Sequence, residues 1–209
     1  MRVQSSELTI RGVVFDYGFT LSSDLYFNVA PEGVDNWQCL LRDVVFQDPV
    51  VRDPWMRGQI GLNTIAQLIA EQLTCSPDAV LRTMKLGCAR LRENVAVKEL
   101  AVNLKTKGVP IALVTANFDV FNEVVVPAHR YDELFNVIVN SSDYGTTDKR
   151  QLWPIAFARM GSELGYHNTL LIEDGEKEPQ AFRDCGGEAI QYAGDDQMRS
   201  EVARYSFVR

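Results

Sequence analysis

The sequence predicts an α/β fold: a Rossmann-like parallel sheet with helices on both faces and a helical cap inserted after the first strand. Three observations carry this expectation. Short apolar runs recur along the chain, helical patterns separate the later runs, and residues 22–92 hold helical patterns without a convincing strand. Near-continuous apolar runs, lacking polar alternation, suit parallel strands covered on both faces. Alternation of strands with helices implies right-handed βαβ units and an open sheet.

The predicted strands are 12–15 (GVVF), 111–114 (IALV), 137–139 (VIV), 169–172 (TLLI) and 189–192 (AIQY). Helical patterns occupy 97–107, 117–126, 152–160 and 176–185; the first ends in Lys107-Gly108 before Pro110, the last in Gly186-Gly187. Both endings are helix stop signals. Inside the insertion, helices are expected near 34–46, 64–73 and 78–91, the last opened by Ser76 as cap with Pro77 at its first position. The chain therefore divides into a core, 1–21 and 93–209, and a cap, 22–92. No repeat or low-complexity segment interrupts it.

Composition removes several function classes. A chain of 209 residues suits one domain, or one with an insertion. Its net charge is −7, and neither half is basic, so nucleic acid and anionic bilayers are poor partners. No apolar run reaches the roughly 18 residues a membrane span needs. The opening MRVQSSELTIRG lacks an apolar signal core, and a cytoplasmic location is expected. Cys39, Cys75, Cys88 and Cys185 form no CxxC pair, and His129 and His167 are the only histidines. That is little from which to build a zinc site or a histidine-based triad, and free thiols in a reducing compartment are expected. Both histidines read as surface residues, and Trp37, Trp55 and Trp153 as packing residues. The sequence carries no sign of an oligomeric state.

In an open parallel sheet, ligands sit beyond the carboxyl ends of the strands. Those ends hold Asp16, then Thr115-Ala116-Asn117, then Glu173-Asp174, with Lys149 and Arg150 in the connection after the third strand. Each residue has a plainer reading: Asp16 as a turn residue, Asn117 as a helix cap, Lys149-Arg150 as a solvated pair, Glu173-Asp174 as an acidic helix start. Together they make the chemistry of a metal-assisted phosphoryl site, with hard oxygen ligands for Mg²⁺ and a cation for phosphate.

These segments resemble the haloacid dehalogenase-like (HAD) hydrolase superfamily. Residues 13–21, VVFDYGFTL, resemble its first motif, an apolar strand followed by Asp-x-Asp-Gly-Thr-Leu. Leu113-Val114-Thr115 resembles the second, Lys149 opening a helix the third, and Leu171-Ile172-Glu173-Asp174 with Glu178 the fourth. Residues 55–60, WMRGQI, resemble a stretch common in the helical caps of that superfamily. The resemblance implies that Asp16 is a nucleophile forming an aspartyl-phosphate. It further implies that Asp16, the Gly18 carbonyl and Asp174 hold Mg²⁺ with Glu173 or Glu178 assisting. Thr115 and Ala116 would meet the phosphoryl group, and Lys149 would neutralise charge and orient Asp16. The implied partner is a small phosphorylated metabolite.

One departure is informative. Phosphatases of the superfamily carry a second Asp two residues after the nucleophile, as general acid and base; here that position is Gly18, and the usual glycine after it is Phe19. Losing such a group typically costs roughly 10²- to 10⁴-fold in rate. Asp24 and Asp143 are the acidic candidates to replace it. Two alternatives stay open: a dehalogenase- or phosphonatase-like hydrolase, because relatives with those activities lack the second Asp, and a catalytically silent binding protein. Lys85 and Lys98 are the lysines available for the Schiff base of phosphonate cleavage. Arg57 and Lys85 lie in the expected cap.

Overall fold

The computed structural model describes residues 8–208. In chain order it contains β1 (Leu8–Ile10), β2 (Gly12–Phe15), α1 (Trp37–Leu41), α2 (Pro49–Met56), α3 (Leu62–Leu73), α4 (Pro77–Ala89) and α5 (Val95–Thr106). Then follow β3 (Ile111–Thr115), α6 (Val126–His129), α7 (Tyr131–Leu134), β4 (Val137–Asn140), α8 (Ser141–Tyr144) and α9 (Lys149–Met160). The chain closes with β5 (Thr169–Glu173), α10 (Lys177–Asp184), β6 (Glu188–Gln191), α11 (Asp195–Val202) and β7 (Tyr205–Phe207). Wide π-helical turns extend α1 through Phe46 and precede α6 at Phe121–Val125.

Five strands form a parallel sheet in the order β4-β3-β2-β5-β6. Successive residues alternate between two apolar layers. Val13, Phe15, Ile111, Leu113, Leu170 and Ile172 face one layer, whereas Val14, Ala112, Val114 and Leu171 face the other, with Leu152, Trp153, Phe157 and Phe182. Burial on both faces is why these strands read as unbroken apolar runs. β2 lies at the centre, and the chain passes to β3 on one side and, later, to β5 on the other. The crevice at such a reversal is where open sheets bind ligands.

Between β2 and α5 the described chain forms helices α1–α4 and no strand. It leaves and returns by a paired neck: the Ser23 N–H donates to the Arg92 carbonyl at 3.0 Å, and the Asn94 N–H to the Leu21 carbonyl at 2.8 Å. The first apolar layer runs without a break from the sheet through Tyr17, Phe27, Phe118 and Phe121 into Trp55, Ile65 and Ile69 of the inserted helices. Trp55 stacks on Phe118, ring centroids 4.0 Å apart, and donates its indole N–H to Asp119 at 2.6 Å. The other Asp119 oxygen accepts from the Leu62 N–H at 2.8 Å. The turn after α2 comes closer still. Gly58 has φ +66°, and a Cβ there would lie 2.1 Å from the Ser142 carbonyl oxygen, so only glycine fits.

Several expectations need correction. The pattern over 117–126 becomes helical only from Asp119, because the Asn117 and Phe118 N–H groups bond side chains instead: Asn140 and Ser141 accept from Asn117, and the Asn117 carboxamide accepts from Phe118. Ser76 stands at the start of α4 but its side chain makes no capping bond. His129 is half-buried rather than a surface residue, stacked on Tyr131 with Nδ1 3.8 Å from Glu93. The strands β1 and β7 and the helices α2 and α11 were not expected.

Candidate active site

The carboxyl ends of β2 and β5 lie side by side, Phe15 in register with Ile172, and the Asp16 N–H donates to the Ile172 carbonyl at 2.9 Å. That pairing sets Asp16 beside Glu173 and Asp174. One carboxylate oxygen from each of the three lies within 4.8 Å of the others. Asp16 and Glu173 are 5% and 3% exposed, so their charges must be answered locally.

Lys149 answers two of them. Its Nζ donates to Asp16 Oδ1 at 2.6 Å and to Glu173 Oε2 at 2.5 Å. The local sequence explains its placement: Asp148 caps α9 by accepting from the Arg150 N–H at 3.1 Å, which makes Lys149 the first helical residue. Burial disfavours the ammonium, but the Asp16 and Glu173 charges outweigh burial and hold its pKa above the usual lysine value. Burial, then the Asp16 charge, pushes Glu173 up to about 8 against the opposing pull of Lys149. Burial and Asp16 likewise raise Asp174. Burial and mutual repulsion thus disfavour full ionisation of the three carboxyls beyond what Lys149 alone offsets.

Thr20 completes the set and was not singled out by its sequence position. Fully buried, it donates from Oγ1 to Asp174 Oδ1 at 3.2 Å; its sequence signal is its match to the Thr of the first motif, to which no role was given. Thr115 closes β3, buried and in register with Asn140, and Ala116 follows half-buried. Gly18 lies in the turn after Asp16, paired with Ser22. Glu178 stands apart from the three clustered carboxylates, reaching back over Gly175 and lining a cleft with Lys149, Arg150 and Lys177.

Both proposed replacements for the missing Asp are already engaged. Asp24 accepts from Arg92 Nε at 2.9 Å and Nη2 at 2.6 Å, and Asp143 from Asn122 Nδ2 at 2.8 and 2.9 Å. Lys85 faces Glu123 at 3.6 Å, Lys98 pairs with Glu93, and Arg57 is exposed.

No family model matches the sequence, and no curated protein matches it. Solved structures do. A HAD-family enzyme from Bacteroides thetaiotaomicron, in complex with magnesium and inorganic phosphate, superposes with a TM-score of 0.62 at 14% identity, over 88% of this chain and 95% of that one. This chain has the HAD fold. A predicted HAD-like family hydrolase from Porphyromonas gingivalis gives a TM-score of 0.64 at 14% identity, over 93% and 97% of the two chains. The L-2-haloacid dehalogenase of Xanthobacter autotrophicus, with chloropropionic acid covalently bound, gives 0.61 at 12% identity, over 96% and 85%. The HAD fold thus spans nearly the whole chain, inserted helices included. Among the described residues, no helix is long and apolar enough to cross a membrane.

Proposed function

We propose that this protein is a HAD-type hydrolase that removes a phosphoryl group from a small phosphorylated metabolite through an aspartyl-phosphate on Asp16. The observation that carries the reading is the clustering of Asp16, Glu173 and Asp174, the first two of which share a single ammonium. Three carboxylates and one lysine leave an excess of negative charge that would repel a phosphate. The donor set is all oxygen and suits a hard divalent cation such as Mg²⁺, held by Asp16, Asp174 and the Gly18 carbonyl with Glu173 assisting. When bound, the ion would neutralise the phosphoryl oxygens and offset the repulsion among the carboxylates.

The chain's own residues supply the rest. Lys149 fixes one Asp16 oxygen by its hydrogen bond, leaving the other to attack phosphorus. Thr20 fixes Asp174 in the same way. Thr115 and the backbone at Ala116, at the end of the neighbouring strand, would receive the phosphoryl oxygens. We read helices α1–α4 as a cap that covers the site and selects the substrate. The match to a dehalogenase is weighed against this acid cluster: displacement of halide from a carbon centre needs no metal, and would leave the Glu173-Asp174 pair unexplained.

Mass spectrometry of the protein mixed with 4-nitrophenyl phosphate and Mg²⁺ tests the proposal. The expected result is a phosphate adduct that is absent in Asp16→Asn. Neither adduct nor nitrophenolate from the wild-type protein would favour a silent binding role.

A further inference from the structure

Helix α5 follows the neck directly and has two unlike sides. Ala96, Val97, Ala101 and Leu104 are buried against the core. The opposite side carries Val95, Lys98, Glu99 and Val102, whose spacing of i, i+3, i+4 and i+7 makes one stripe along the helix. Val95 and Val102 are 59% and 47% exposed, although a β-branched residue on the outside of a helix serves neither helix propensity nor solubility. The stripe floors an open groove of about 810 Å³ that runs from Leu91 to Thr106. The charged residues lining it, Arg92, Glu93, Lys98 and Glu99, sum to zero, whereas the chain as a whole carries −7. Such a surface holds no attraction for a polyanion and does not repel a copy of itself.

We infer that the outer face of α5 is the contact between two copies of this chain, packed antiparallel about a two-fold axis that passes between Lys98 and Glu99. A two-fold contact demands reciprocity: where one residue meets a second, that second residue must meet the first. The spacing of the stripe satisfies this demand. Lys98 lies opposite the partner's Glu99 and Glu99 opposite the partner's Lys98. Val95 lies opposite the partner's Val102, and Val102 opposite the partner's Val95, so an apolar pair flanks the central charges on each side. A parallel arrangement would set lysine against lysine and glutamate against glutamate, and like charges in register oppose association. Within its own chain Lys98 reaches Glu93, and Glu99 accepts from Arg199 at 2.9 Å. Both pairs stay open to solvent, and exposed pairs hold their partners weakly, so Lys98 and Glu99 are free to turn to a second chain. A contact made mainly by one helix from each copy lies at the small end of specific interfaces, below roughly 1,200 Å² in total. The dimer is therefore weak and forms as concentration rises.

Sedimentation velocity of the full chain, from about 1 µM to about 500 µM, tests this. The expected result is a mass that climbs toward twice that of the chain. Lys98→Glu and Glu99→Lys should each weaken association by about tenfold or more, because each sets like charges opposite one another. Mixed in equal amounts, the two variants should associate again to within about threefold of the wild type, since every charge across the contact then meets its opposite. Circular dichroism reports separately whether each variant folds. Should Lys98→Glu fail to fold without its pair to Glu93, Val102→Asp on the exposed stripe reads the same weakening. A chain that stays monomeric throughout, a dimer indifferent to these variants, or single losses that mixing does not repair would each overturn the inference. None of these outcomes bears on the chemistry at Asp16.

Discussion

Gly18 and Phe19 carry the strongest residue-level consequence. A Cβ built on Gly18 meets no atom within 4 Å, and its φ lies outside the left-handed range, so a side chain is sterically admissible there. Phe19, in contrast, has φ +53° and is 52% exposed. A bulky residue is held in a conformation that glycine adopts without cost, which stores strain in the turn that presents Gly18. Gly18→Asp should therefore fold and raise steady-state hydrolysis of an alkyl phosphate about a hundredfold, at the low end of what a general acid–base group contributes. An unchanged rate would show that this turn does not bring position 18 to the substrate. The Asp16, Glu173, Asp174 and Lys149 positions were legible because each follows or opens an element that the apolar pattern marks. Thr20 was less so: it matches the Thr of the Asp-x-Asp-Gly-Thr-Leu motif, but its role depends on Asp174, distant in sequence.

Among the elements, α2 and the loop after β3 hold the inserted helices against the sheet. Asp119 accepts from the Trp55 indole at 2.6 Å and from the Leu62 N–H at 2.8 Å, and Ser141 donates to the Met56 carbonyl at 2.7 Å. Asp119→Ala leaves two donors without a partner, so a loss of about 1–3 kcal/mol is expected for each donor that water cannot reach. Chemical denaturation of the variant would read that loss as a lower midpoint at unchanged slope; an unchanged midpoint would mean the Asp119 contacts do not hold the two layers together. The sequence conceals α2 for an identifiable reason. Asp48 caps it and Pro49 opens it, both ordinary start signals, but Pro54 sits inside and breaks the pattern. Strands β2 to β6 are legible because both faces are apolar, whereas β1 and β7 are too short to show any period, each pairing with the far end of the chain.

For the molecule as a whole, the acidic balance and the carboxylate cluster point the same way. A cation bound by Asp16 and Asp174 only in the folded state stabilises that state by mass action, by roughly 2.7 kcal/mol at a hundredfold excess over Kd. Mg²⁺ should raise the Tm of the wild-type protein, and Asp174→Asn should lose most of that rise while keeping its fold by circular dichroism. A variant that responds to Mg²⁺ as the wild type does would place the ion elsewhere. The same scale gives meaning to the small pair formed by β1 and β7. Leu8, Thr9 and Ile10 run parallel to Tyr205, Ser206 and Phe207, so tension applied from the segments flanking the pair pulls the two strands in opposite directions along their length. The ladder is then loaded in shear, with its hydrogen bonds sharing the force instead of opening one at a time. Under stretching this short clasp shields the sheet, and with it the nucleophile at the end of β2, from the pull on either end.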